Sequence, residues 1–323
     1  MTVKQQILKF LLKTALLFGI VFLLDLAIGK TLQYFYFRQS SGLFYRTNYA
    51  MDSTQAQVLI FGSSRANHHY DPRVISEKLE KSCYNTGRDG NFLLFNYAIF
   101  KTIILRYKPE IVIFDVDKDF LTHSAEEYER LSSLLPYKGR NRAIEQVIAL
   151  RGPFEKLKCL SQLYRYNSSL LTIAIGNTEV NKRRKSDIEG YVPLPGTLEM
   201  KRPDTDTSAV DPADPQKVSA LLDIIMECKK YNIRLVFANS PIFIESINHD
   251  NINPVREMAV HNKVEYLDYS TDTVFLNHPE YFADPSHLNS SGASIFSGAL
   301  ADRIMTTVPL PMNYSAHNHN YSN

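Results

Sequence analysis

The stretch VLIFGSSRANHHYDP, Val58 to Pro72, runs from an apolar segment through Gly62 into two serines, an arginine and two histidines. A serine hydroxyl is a poor nucleophile until a base removes its proton, and the base works best when a third group orients it. The stretch YFADPSHLNSSGA, Tyr281 to Ala293, supplies such a pair, with Asp284 and His287 three residues apart. That spacing brings both side chains to one side of a single turn. Asp284 then accepts a hydrogen bond from one ring nitrogen of His287 while the other nitrogen faces a serine. The chemistry implied is acyl transfer through a covalent serine intermediate. His68 and His69 lack a third ligand at suitable spacing and are expected as exposed loop histidines, so neither a metal nor a cofactor is expected. Arg65 and Arg88 either recognise an anionic or carbonyl group or pair with Asp89, Asp117 or Asp119.

The elements that position these residues follow a regular alternation. QVLIF (57–61), CYNTG (83–87), EIVIFDV (110–116), IRLVFANSP (233–241) and VEYLDYS (264–270) are short apolar runs expected as five strands. Helical patterns separate them, over 72–82, 91–107, 214–232 and 252–262. A last helix is expected from a cap at Ser290 or Ser291 to about Thr306. This order implies an α/β fold, a parallel sheet covered on both faces. Ligands of such sheets lie beyond the C-terminal strand ends, where Gly62-Ser63-Ser64 falls. Residues 120–213 interrupt the alternation as an insertion. Its basic run Lys182-Arg183-Arg184-Lys185 is expected as solvated surface.

The 323 residues are 44% hydrophobic, enough for a sizeable core, and the net charge of +2 gives no case for a nucleic-acid partner. Cys83, Cys159 and Cys228 are too few and too widely spaced for a disulfide framework and are expected to be buried. Phe10 to Ile28 reads FLLKTALLFGIVFLLDLAI, the length of a transmembrane helix. Lys13 and Asp25 lie near its ends, and Tyr34 to Phe37 follow as an interfacial aromatic belt. A cleaved signal peptide is the rival, with small residues at Ala27 and Gly29; the apolar run through Leu11 and Leu12 favours an uncleaved anchor. The organisation expected is a membrane anchor over 1–30, a stalk or lead-in over 31–56, one α/β domain over 57–308 and a flexible tail over 309–323.

Taken together, the Gly-Ser-Ser turn after the first strand and the Asp-x-x-His before the last helix resemble the SGNH/GDSL hydrolase superfamily. The resemblance spans roughly residues 57–306 and implies a flavodoxin-like three-layer sandwich with a five-strand parallel sheet. It makes Ser64 the nucleophile, His287 the base and Asp284 the orienting acid, and it places an oxyanion hole at the backbone amides of Ser64 and Gly87. The family's further donor is an asparagine after the third strand. Here that place holds Asp117-Lys118-Asp119, and an ionised aspartate accepts but cannot donate. Arg65, Arg88 or Asn239 would then substitute, and these three with Asp119 are the candidate substrate-binding residues. With its N-terminal segment the chain is similar to extracytoplasmic members that modify cell-envelope polymers. The function implied is an esterase or O-acyltransferase of an envelope glycan or lipid, held at the membrane and working with envelope-biosynthesis proteins. The alternative is a binding or assembly protein of the same fold with weak or lost catalysis.

Overall fold

A computed structural model describes residues 2–178, 187–199, 211–243 and 249–307. The basic run at 182–185 and the tail from 309 lie outside them. The chain begins with a 35-residue helix, α1 (Val3–Phe37), then α2 (Gly42–Asp52), so the lead-in expected at 31–56 is largely helical. Next come β1 (Val58–Phe61), α3 (Ser64–His69), α4 (Pro72–Leu79), β2 (Cys83–Asn85), α5 (Leu93–Arg106) and β3 (Ile111–Asp115). The region after β3 holds α6 (Ala125–Arg130), α7 (Arg142–Ala149), α8 (Glu155–Lys158) and α9 (Leu170–Gly176). The last part holds α10 (Pro215–Lys230), β4 (Arg234–Asn239), α11 (Asn253–Asn262), β5 (Glu265–Asp268), α12 (Thr273–Leu276), β6 (Phe282–Asp284), β7 (His287–Leu288) and α13 (Ser290–Thr306).

These elements form two compact units. One comprises Gln55–Asp89, Tyr107–His123 and Ile188–Asn323, and contains β1 to β7. Its sheet is all parallel in the order β2-β1-β3-β4-β5, the flavodoxin-like order. Alternate residues of the strands point to opposite faces. Val58, Ile60, Ile111, Ile113, Val236 and Ala238 face one core, with Ala66 of α3, Tyr70 at its C-cap, Ile75 of α4, and Ala293, Phe296 and Leu300 of α13. Leu59, Phe61, Val112, Phe114, Leu235 and Phe237 face the other side and are equally buried. There α10 borders β4 and α11 borders β5, so the sheet is flanked by helices on both faces. The outer edge of β2 is not bare: Asn85 N–H donates to the Glu189 carbonyl of a tight turn over 188–191.

The other unit comprises Met1–Thr54, Gly90–Arg106 and Ser124–Asp187 and contains α1, α2 and α5 to α9. Its core is aromatic. Tyr36 stacks on Phe44 and donates to the Tyr137 hydroxyl, which donates in turn to Asn48. Ser124–Asp187, part of the expected insertion over 120–213, therefore shares a unit with the N-terminal helix. All three cysteines are buried thiols. The most apolar 18-residue window of α1 has a mean hydropathy of 2.3 and none of it is buried, so α1 is long and apolar enough to cross a membrane.

Candidate active site

Gly62 ends β1 with φ +150, a backbone region that L side chains rarely adopt. A Cβ there would also lie 2.7 Å from that of Ala66. Glycine at this corner lets the chain turn from strand to helix within two residues. Ser63 takes the N-cap position and Ser64 is the first residue of α3. The polar stretch after the turn is thus a helix, where the sequence reading gave a loop.

Far along the sequence, β6 and β7 form a small hairpin around Pro285 and Ser286, pairing Asp284 directly with His287. Asp284 Oδ1 accepts from the N–H groups of Ser286 (2.8 Å) and His287 (3.0 Å), which fixes the carboxylate over its own turn. His287 Nδ1 lies 3.0 Å from both Asp284 oxygens, and its Nε2 lies 2.8 Å from Ser64 Oγ. With the proton on Nδ1, Nε2 accepts from the serine hydroxyl. Burial alone would raise the Asp284 carboxyl, but the Ser286 and His287 hydrogen bonds outweigh it and hold it below its ordinary value. The structure therefore brings Ser64, His287 and Asp284 into one continuous relay. The cap of α13 is Asn289, whose Oδ1 accepts from Ser291 and Gly292, and not Ser290 or Ser291 as the sequence suggested.

A buried polar network lies beneath the relay, and most of it was not visible in the sequence. Arg65 donates through Nε to Ser240 Oγ (3.0 Å) and through Nη2 to Asn239 Oδ1 (2.8 Å) and Asp115 Oδ1 (3.3 Å). Tyr70 donates to the same Asp115 oxygen at 2.7 Å. Burial, then the Asp115 charge, push the Tyr70 phenol well above its ordinary range. His69 is fully buried: its Nε2 accepts from the Leu288 N–H (3.1 Å), so its Nδ1 donates to Ser240 Oγ (2.9 Å). Burial, followed by the Arg65 charge, holds this imidazole well below its usual pKa, in keeping with a neutral ring that accepts a backbone bond. His68 is also buried, with Nδ1 donating to the Val192 carbonyl and Nε2 3.3 Å from Asp89. Both rings stand edge-on to His287, at centroid distances of 5.6 and 6.0 Å. The expectation of exposed loop histidines is corrected: a short helix packs them inward because distant residues supply their partners. Among the described residues no cluster of histidine, cysteine and carboxylate side chains suits a metal.

The candidate binding residues are bonded within the protein as follows. Arg65 and Asn239 are buried and bonded to each other, which braces the ends of the strands beneath Ser64. Arg65 pairs with Asp115, which was not among its expected partners. Arg88 is buried, and its N–H donates to the Gly62 carbonyl. Asp119 is exposed in a turn whose bonds run to Asp117, Thr122 and Asn251. Gly87 N–H donates to Asn85 Oδ1 at 2.8 Å, so in this structure it is committed within β2's exit loop. Glycine is needed there for another reason: a Cβ would lie 2.5 Å from the Asn67 nitrogen of α3. Ser64 N–H, at the start of α3, has no intrahelical acceptor and remains a candidate donor. Asp117 follows β3 where the resemblance calls for asparagine. Burial raises its carboxyl pKa against the opposing charge of Arg65.

No family model matches the sequence, and no curated protein matches it. Among solved structures it is similar to a protein described as lipolytic, of the G-D-S-L family, from Desulfitobacterium hafniense DCB-2. That likeness has a TM-score of 0.40 and 11% identity over 76% of this chain and 97% of that one. It is also similar to the acetyl xylan esterase AlAXEase, with a TM-score of 0.36 and 14% identity over 77% and 98% of the two chains. The turn and the acid–base pair expected from the sequence are both present in this chain's own geometry. A Gly-Ser-Ser turn follows the first strand of a 2-1-3-4-5 sheet, and an Asp-x-x-His hairpin precedes the last helix.

Proposed function

We propose that the protein is a membrane-anchored serine esterase or O-acyltransferase acting on an ester-bearing glycan or lipid of the cell envelope. The observation that carries this reading is the unbroken relay from Ser64 through His287 to Asp284. Ser64 Oγ attacks the ester carbonyl as His287 Nε2 takes its proton, while Asp284 holds the opposite ring nitrogen and stabilises the imidazolium. The tetrahedral intermediate collapses, the alcohol leaves with the proton from His287, and an acyl-enzyme remains on Ser64. His287 then activates water or a sugar hydroxyl, which carries the acyl group away. Hydrolase and transferase differ only in that acceptor. α1 supplies the anchor, with residues beyond about 31 outside the cytoplasm and available to envelope partners.

A second reading, an SGNH-fold binding or assembly protein, is favoured by the committed Gly87 N–H and by aspartate at position 117. Turnover of an aryl acetate, with and without an added sugar acceptor, tests both. Release of the aryl alcohol that is lost in Ser64→Ala supports the enzyme, and acetylated sugar assigns the transferase. A folded wild-type chain that releases no more than Ser64→Ala favours the binder.

A further inference from the structure

We infer that residues 154–171 form a lipid-docking surface that enters the boundary between headgroups and acyl chains beside α1. This rests on the reading of α1 as a membrane span. The apolar run Phe10–Ile28 covers about 28 Å as a helix, close to the hydrocarbon thickness of a bilayer. It contains one acid, Asp25, in its last turn. A carboxylate at that depth is costly unless satisfied. Its partners all come from one loop: Ser161 Oγ–H, the Gln162 N–H (2.7 Å) and the Leu163 N–H (3.2 Å). One turn on, Gly29 lies so close to the loop that a Cβ would be 2.3 Å from Cβ of Gln162. Residues 161–163 therefore share the depth of Asp25, wherever α1 sits in the bilayer.

The side chains flanking that loop are apolar and unusually open. Phe154 is 65% exposed, Leu157 65% and Leu160 71% on one side of it, with Leu170 46% and Leu171 74% on the other. The charges between them suit an anionic lipid surface. Lys156, Lys158 and Arg165 stand against one acid, Glu155, which is buried and bonded to Arg151, Lys158 and Tyr164. Lys156, exposed beside Leu157, extends its ammonium group to phosphates while its stem stays in the apolar layer. Further on, Asn177 donates to the Phe35 carbonyl, ten residues beyond Asp25 along α1. The segment thus runs along α1 from the end of the apolar run to the Tyr34–Phe37 aromatic residues that suit an interface.

The chain has no tryptophan, so single tryptophans report cleanly. Leu157→Trp, Leu160→Trp and Leu171→Trp replace exposed side chains in the full chain. Leu17→Trp reports on the middle of α1, and Leu222→Trp on an exposed face of α10. Each is placed in nanodiscs of phosphatidylcholine and phosphatidylglycerol whose acyl chains carry bromines either near the headgroup or near the chain end. The expected result is loss of Leu157→Trp, Leu160→Trp and Leu171→Trp emission with shallow bromines. Leu17→Trp should be lost with deep bromines, and Leu222→Trp only with aqueous acrylamide. Loss of the three to acrylamide alone, with Leu17→Trp quenched by lipid, overturns the docking surface and leaves the anchor standing. Shielding of the three from both quenchers means that protein covers this face, which also overturns it. Leu17→Trp insensitive to lipid bromines overturns the anchor reading and the docking surface together.

Discussion

Ser63 and Ser64 are neighbours with the same side chain, and only Ser64 is hydrogen-bonded to His287. Ser63 sits at the N-cap without a side-chain cap bond. Ser64→Ala and His287→Ala should each lower kcat on an aryl ester by roughly 10⁴- to 10⁶-fold, Asp284→Asn by less, and Ser63→Ala by little. Steady-state kinetics of the folded variants check this. An inactive Ser63→Ala with an active Ser64→Ala would move the nucleophile one residue. Asp117→Asn supplies an N–H donor where the carboxylate supplies none, and kcat should rise if that position faces the oxyanion. A fall of about tenfold or more would give the Asp117 carboxyl a role of its own, a change of about 1.4 kcal/mol in barrier. The relay residues were legible because acid and base lie three positions apart and the serine lies two residues after a glycine at a strand end. The supporting network was not. Arg65, His69 and Tyr70 bond to Asp115, Asn239 and Ser240, and such long-range partners leave no local spacing to find.

At the scale of elements, α3 is the piece that must stay still, and two contacts hold it. Gly87 presses the exit of β2 against its backbone, and Gly87→Ala would force the two apart. A misplacement of that kind near a reacting group costs on the order of 10²-fold in rate. Kinetics and thermal melting should show both lower kcat and lower stability. Unchanged kcat would mean that the exit loop yields and α3 does not. His69, on the last turn of α3, reaches the backbone of β7 at Leu288, next to His287. Its pKa is depressed in the folded chain and ordinary, about 6.5, in the unfolded one. Below that value the unfolded state binds the extra proton, so stability falls as pH drops, by at most about 1.4 kcal/mol per pH unit. Melting curves from pH 7.5 to about 5 should therefore show a loss that is smaller in His69→Gln, which keeps a side-chain acceptor but does not titrate. An identical pH slope in both proteins would contradict this role. The strands were legible because each is a short apolar run closed by turn residues. The helix over Ser64–His69 was missed because its buried face is polar, which gives no apolar period to detect.

For the whole molecule, the five-strand alternation was readable from the sequence, but the division into units was not. Sequence order placed 31–56 as a stalk and 120–213 as an insertion. In the structure Met1–Thr54, Gly90–Arg106 and Ser124–Asp187 share one unit, joined by contacts such as Tyr36 with Tyr137 that no local pattern announces. If α1 is the anchor and the sheet unit lies outside the cytoplasm, a reporter fused at Asn313 should be active only in its external or periplasmic form. Activity of a cytoplasmic reporter there would reverse the topology. The central claim is that Ser64 is an activated nucleophile. Its most direct test is the intact mass of the full detergent-solubilised chain after incubation with a fluorophosphonate, followed by peptide mapping. One phosphonyl group on Ser64, retained in Ser63→Ala and absent in Ser64→Ala, is the predicted result; a folded chain that takes up no phosphonyl group, or takes it up at another residue, contradicts the account.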